Sequence, residues 1–356
     1  MTDVEVDVLC AGLGPAGARA AAAAAKRGLR VLAVDRKREP GLPVQCAEFV
    51  PALIGSDVGG LARSVRQSIR AMQTYVETEA PDLTDPFPGQ MLDRAAFDAA
   101  LVEDAVQAGA TCRFATTVRA VGRDGRVALS DGTRARARVL IGADGPRSVV
   151  GRAIGSINRH LVETRQVTVP LLAAHDATDI FLSATTPGGY AWLFPKGDVA
   201  NVGAGVDPAH KAALKDIVDD LHASLVADGR VDRAILARTG GAIPVGGMVK
   251  PTGMLGATRV LLAGDAAGLA NPVTGAGIAA AVHSGTLAGD AAADAVEGDP
   301  EALVGYEDEL DALFAVALSR ALRRREELAH AMQADALERR SALRRGWVAY
   351  PEYWAP

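Results

Sequence analysis

Apolar and polar residues alternate at Val4, Val6 and Val8, a period-two pattern that predicts a strand at the start of the chain. The run "ARAAAAAAKRG" that follows is built from the strongest helix former and stops at Gly28, so a helix comes next, and "LRVLAVD" returns to strand. "MLDRAAFDAAL" (91–101) lies on a helix that Gly109 ends, and two more apolar strands run into "GADGPRSVVGR" and "AGDAAGLANPVTGAGIAAAVHSG". Elsewhere the pattern differs. From Thr111 to Val139 the turns "RDGR" and "SDGT" separate short alternating runs, which read as a small meander. Residues 160–254 mix apolar strands with one amphipathic helix, "KAALKDIVDDLHASLV", and read as an antiparallel sheet carrying a helix. The expected fold class is α/β: a Rossmann-like domain interleaved with an antiparallel-sheet domain, because the last strand and helix of the first domain return only after the sheet segment. The expected segments are 1–75, 92–159 and 255–317 for the first domain, 76–91 and 160–254 for the second, and 318–356 for a helical C-terminal segment.

Composition narrows the function classes. The chain has 356 residues, 49% hydrophobic and 23% charged, with a net charge of -5, which argues against a nucleic-acid groove. Its most apolar run is broken by Arg19, Lys26 and Arg27 and is too short to span a bilayer, and no basic and apolar leader opens the sequence. Three cysteines, Cys10, Cys46 and Cys112, lie far apart and cannot build a four-cysteine metal site. A cytoplasmic protein with reduced thiols and no metal is expected.

Gly12, Gly14 and Gly17 stand in GxGxxG spacing between the first strand and its helix, with Pro15 and Ala16 inside the turn. The first glycine allows the tight turn, the second lets backbone approach a pyrophosphate, and the third lets helix pack on strand. Asp35, followed by Arg36, ends the second strand where an acid accepts from both ribose hydroxyls. With the RxxFD arrangement at Arg94, the Asp144 and Gly145 turn, and Gly264, Asp265, Pro272, Gly275 and Gly277 before an alanine-rich helix, the chain resembles the flavoprotein fold of p-hydroxybenzoate hydroxylase. The resemblance implies FAD. It places Arg94 and Asp144 near the FAD phosphates or the adjoining turn, Asp265 on the ribityl chain, and the loop through Ala276 to Ile278 beside the isoalloxazine. A helix starting near Gly275 would point free N–H groups and a positive dipole at the flavin edge, favouring the reduced anionic ring.

The segment "TPGGYAWLFPKGD" (186–198) concentrates rings in a chain that is 4% aromatic. In a strand Tyr190, Trp192 and Phe194 share one face, either as an apolar wall for a substrate or as packing against a neighbour. The stretch resembles the YxWxFP signature of the geranylgeranyl reductases; the GWxWxIP of flavin-dependent halogenases departs from it at Tyr190 and Phe194. "PGLPVQCAEFVP" (40–51) also resembles the reductase segment that places a cysteine near the flavin, here Cys46, with Ala47 standing where family members often carry glycine. The resemblance implies saturation of isolated double bonds in a polyprenyl chain, with an apolar or lipid substrate. Cys46, Tyr190 or a water is the candidate proton source, and NAD(P)H or a small redox protein the candidate electron donor. The alternative function is a flavin monooxygenase or halogenase acting on an aromatic or peptide-bound substrate. The Arg-rich stretch 318–347 reads either as a solvated helix laced by Glu and Arg pairs or as a peripheral membrane contact. The sequence does not set the oligomeric state.

Overall fold

A computed structural model describes residues 3–51, 61–331 and 335–355. The expected segment 1–75 therefore includes positions outside the described residues, as do positions 332–334 and Pro356 of the C-terminal segment.

Near-continuous apolar runs such as "VLIG" and "RVLL" form the centre of a parallel sheet, whose strands must be buried on both faces. Asp3–Ala11 lies between Arg134–Gly142 and Val31–Val34, all parallel, with Thr258–Leu262 and Thr111–Arg113 outside them. The expected meander forms as Val118–Val121 and Val127–Leu129, which lead antiparallel into Arg134–Gly142. Helix Pro15–Lys26 crosses helix Ile278–Glu297 at backbone contact: a Cβ on Gly285 would stand 2.2 Å from the Ala16 carbonyl oxygen, and one on Gly289 2.5 Å from that of Ala20. Only small residues permit that approach, which is why both helices are so rich in alanine and glycine.

The second sheet has seven strands in the order Ala237–Pro244, Leu161–Pro170, Val199–Val206, Ala191–Lys196, Ala177–Leu182, Ala71–Val76 and Asp82–Thr84. All its pairs are antiparallel except Ala71–Val76 with Ala177–Leu182. Alternation sorts its side chains. Ala191 and Leu193 join Val167, Val202 and the apolar face of helix Leu214–Ala227, whereas Trp192 and Phe194 point the other way, with Met72 and Ile180. A three-stranded sheet, Phe49–Pro51, Gly89–Leu92 and Val65–Ile69, joins the two domains.

Three expectations need correction. Strand Ala71–Val76, expected in the first domain, pairs into the second sheet, because its apolar residues complete the face that Ile180 and Trp192 begin. Thr252–Leu255 belongs instead to the first sheet, as a hairpin with Thr258–Leu262. The stretch 318–347 does not form one helix: Ala302–Ala331 ends and Ala336–Arg345 begins anew, capped by Asp335. Nor is that segment a freely solvated helix. Arg339 bonds Glu77, Arg340 pairs with Glu79, and Arg344 bonds Glu79 and Asp82, so its arginines pin it to one edge of the second sheet.

Candidate active site

The three glycines of the fingerprint turn meet different surroundings. Gly12 has φ +100° and a Cβ there would stand 2.2 Å from the Ala143 carbonyl oxygen; a Cβ on Gly17 would stand 1.9 Å from that of Gly12. Both are fixed by protein contact. Gly14 differs, because nothing lies within 4 Å of where its Cβ would be, so its lack of a side chain serves open space. Gly14 caps the helix without a side-chain hydrogen bond, with Pro15 at its first position, leaving first-turn N–H groups free for an anion. Asp35 accepts from the amides of Leu13 at 2.7 Å and Lys37 at 2.8 Å, which holds the acid at the mouth of this cradle, with Arg36 exposed beside it.

The second approach to the cradle is the loop 272–277. Asn271 builds it: its side-chain oxygen accepts from the amides of Val273 and Thr274, its amide donates to the Ala276 carbonyl, and its carbonyl accepts from the Gly275 amide. Gly277 caps the helix that starts at Ile278, again without a side-chain bond. Gly264, with φ +60°, donates its amide to buried Ser284, and Asp265 follows. The Asp265 carboxylate accepts no hydrogen bond from the described residues. Burial pushes it up to about 6, against the opposing pull of the Arg94 charge. Open space at Gly14, two uncapped helix starts and an acceptor without a donor at Asp265 fit a dinucleotide with a hydroxylated linker, which is FAD.

Asp144 and Arg94 shape the site through protein bonds. Asp144 accepts from the Ser148 hydroxyl at 2.5 Å and the Val149 amide at 2.6 Å, and so caps the short helix Val149–Ala153 after the left-handed Gly145. It shapes the adjoining turn. Arg94 is forked onto Asp98 at 3.0 and 3.1 Å. Burial opposes its charge, but Asp98 and then the Cys46 sulfur hold it above the ordinary value.

Cys46, Tyr190, Trp192 and Phe194 are brought together through the face of the second sheet that carries Trp192 and Phe194. Half-buried Cys46 accepts the Glu48 amide on its sulfur at 3.2 Å. Its carbonyl accepts from Gln166 Nε2 at 3.3 Å, and Gln166 Oε1 accepts from the Trp192 indole at 3.1 Å, so a single amide ties the cysteine loop to the aromatic strand. Tyr190, just before that strand, donates its hydroxyl to the Thr274 carbonyl at 2.7 Å and so joins the aromatic segment to the 272–277 loop. Burial raises this phenol far above its usual range, and the nearby Cys46 adds to the effect. Trp192 and Phe194 are 6% and 5% exposed, and the Phe194 ring lies 5.6 Å from Phe49. Trp347 of the C-terminal segment packs 4.8 Å from Tyr190, edge to face. Both Trp192 and Phe194 are thus part of a packed core, whatever else they touch.

Three residues of this site went unmarked in the sequence. Gln166 is one. Glu48, 3% exposed with φ +70°, accepts from the Arg94 amide at 3.0 Å, Lys196 at 2.5 Å and Asn201 at 3.0 Å, binding the FAD-side helix to the second sheet. Asn201 also holds the Ala47 carbonyl at 3.3 Å. The available signal was a polar residue inside an apolar strand, as in "RQVTV" and "VANVGAGV", which is costly to bury unless it is bonded.

Comparison with known proteins follows this geometry. A family model described as the geranylgeranyl reductase catalytic domain matches residues 161–242, and one described as lycopene cyclase protein matches 7–169. Digeranylgeranylglycerophospholipid reductase 2 of Methanopyrus kandleri is 35% identical over 96% of this chain and 92% of its own length. Reductase 3 of Methanosphaera stadtmanae is 32% identical over 95% and 91%. A geranylgeranyl bacteriochlorophyll reductase-like protein of Thermoplasma acidophilum superposes with a TM-score of 0.82 at 25% identity, over 99% of this chain and 98% of that one. PqsL of Pseudomonas aeruginosa, described as a probable FAD-dependent monooxygenase, has a TM-score of 0.68 at 20% identity over 95% and 99%, a likeness of fold.

Proposed function

Since the chain belongs to the geranylgeranyl reductase family of FAD-dependent oxidoreductases, we propose that it saturates carbon-carbon double bonds in the prenyl chains of a glycerophospholipid. The observation that carries this reading is the connection from Cys46 through Gln166 to Trp192, beside a Tyr190 that is bonded to the 272–277 loop. These bonds support a site in which the cysteine loop, the aromatic strand and the 272–277 loop act together.

When bound, reduced FAD supplies a hydride to one carbon of an alkene. The rest is the work of the chain. Gly14, Asp35, Asp265 and the loop 272–277 hold the cofactor. Tyr190, Phe49 and the margin of the Trp192 and Phe194 cluster hold the isoprenoid and exclude water, each buried methylene contributing about 0.8 kcal/mol. An unactivated alkene takes hydride at one carbon only if a proton reaches the other, so an acid must face the chain. The Tyr190 proton is committed to the Thr274 carbonyl, whereas the Cys46 thiol donates to no acceptor among the described residues and is assigned as the proton donor. Electrons reach the cofactor from a nicotinamide dinucleotide or a small redox protein.

The test is product mass after anaerobic incubation of dithionite-reduced, FAD-loaded protein with a digeranylgeranyl glycerophospholipid. The expected products gain two hydrogens for each reduced bond, and Cys46→Ala retains FAD while losing this conversion. Oxygen inserted into an aromatic substrate in aerated buffer, with no saturation of the lipid, would overturn the reading.

A further inference from the structure

The free edge of the second sheet is strongly basic. Strands Leu161–Pro170 and Ala237–Pro244 pair so that Arg165 opposes Gly240 and Val167 opposes Arg238. With a side-chain period of two, Arg165 and Arg238 stand on the same face as diagonal neighbours. Lys211 and Lys215, from the turn and helix packed on that face, complete a cleft of about 410 Å³ whose far wall is Pro43 and Gln45.

The two lysines are paired with acids: Lys211 reaches Glu163, which Arg147 also bonds, at 3.0 Å, and Lys215 reaches Asp219 at 2.7 Å. Asp219 is held below its ordinary value first by Lys215 and then by Arg165 and Arg238, against the opposing effect of burial. Neither arginine makes an ion pair or side-chain hydrogen bond among the described residues. Arg165 is half-buried, and its Nε is fully buried with no acceptor. A buried guanidinium donor without an acceptor is costly, and native structures rarely leave one so. Arg165 and Arg238 both line the cleft without an ion pair among the described residues, and a pair of adjacent guanidinium forks matches the several oxygens of a phosphate.

We propose that this cleft binds a phosphate ester or diphosphate, with Arg165 and Arg238 as its principal donors. Gln45, in the cleft wall, donates to the Gly240 carbonyl at 3.0 Å and immediately precedes Cys46, so the bound anion is docked one residue from the loop that carries the thiol. Two small molecules of the proposed reaction carry such a group: the phospholipid substrate and a nicotinamide dinucleotide. Their relevance rests on the reductase reading; the phosphate site itself does not.

The experiment is calorimetric titration of the full-length, FAD-loaded protein with inorganic pyrophosphate at low salt. Saturable binding is expected, weakened about tenfold or more by Arg165→Gln and by Arg238→Gln, the loss of a charge-assisted fork. Arg233→Gln, which removes an exposed arginine outside the cleft, leaves it unchanged. The flavin spectrum and melting temperature verify that each variant is folded, and exposed Arg238 keeps the test available if Arg165→Gln does not fold. Absence of saturable binding, or equal weakening by Arg233→Gln, overturns the proposal whether or not the protein reduces prenyl lipids. Displacement then identifies the source: NADPH displacing pyrophosphate where NADH does not marks the dinucleotide, and a prenyl glycerophosphate displacing it where the phosphate-free glycerol ether does not marks the lipid.

Discussion

Removing a single oxygen from Tyr190 separates positioning from proton transfer. The hydroxyl donates to the Thr274 carbonyl at 2.7 Å, while the ring keeps its contacts with Trp192 at 5.7 Å and Trp347 at 4.8 Å. Tyr190→Phe preserves those contacts and strands only the carbonyl. A net hydrogen bond is worth about 0.5–1.5 kcal/mol and a stranded partner costs about 1–3, so a loss of about 1–2 kcal/mol is expected. Expressed in the 272–277 loop, this raises the FAD dissociation constant about 5- to 30-fold. Expressed in global unfolding, it lowers Tm by about 1–3 °C in a chain of this length. Fluorescence titration of FAD, differential scanning calorimetry and turnover at saturating FAD separate these outcomes. Turnover should fall by less than about tenfold, since a general acid contributes about 10²–10⁴ and that role is assigned to Cys46. A hundredfold loss of turnover with unchanged FAD affinity and Tm would make the phenol the acid and refute this assignment.

Other consequences are equally direct. Gly14→Ala meets no protein atom and should melt like wild type while losing at least about tenfold in FAD affinity, whereas Gly17→Ala, 1.9 Å from a carbonyl oxygen, should not fold normally; wild-type FAD binding by Gly14→Ala would remove the cradle from the site. Asp265, pushed up to about 6, takes a proton in the folded, flavin-free protein that the unfolded chain takes only at lower pH, so the folded state is penalised above that value and relieved as pH falls through it. Flavin-free Asp265→Asn should therefore melt above wild type near pH 7.5. That gap should shrink to roughly half by pH 5 and close only as pH nears the ordinary carboxylate value of about 4, and a gap independent of pH would contradict the assigned burial. Arg344, bonded to Glu79 at 2.6 Å and Asp82 at 3.1 Å but partly exposed, holds the segment that carries Trp347. Arg344→Ala should cost about 1 kcal/mol and speed limited proteolysis within 335–355, and unchanged cleavage would show that the arginine is not a latch.

Much of the cofactor side was legible because its constraints are local. GxGxxG is a rule about a single turn, and its three glycines meet three local conditions: left-handed backbone at Gly12, open space at Gly14 and contact with the preceding turn at Gly17. Strand alternation likewise put Trp192 and Phe194 on one face and Ala191 and Leu193 on the other before any contact was known. Asp144 was harder to read, since whether a carboxylate meets a ligand or caps its own turn depends on the short helix that follows it.

By itself, then, the sequence determined the α/β class, the glycine turn between the first strand and its helix, and the aromatic face, through backbone conformation and side-chain period that act over a few residues. Only the tertiary structure decided what meets that face. Gln166 and Asn201 look like isolated polar residues in separate strands until pairing places them under the Cys46 loop, where they bond Cys46, Glu48 and Ala47 across 120, 153 and 154 positions. The arginines of the C-terminal segment are equally ambiguous in sequence. Charge marks them as able to pair, but the acids at Glu77, Glu79 and Asp82 lie more than 260 residues earlier, and only the closed chain brings them within reach.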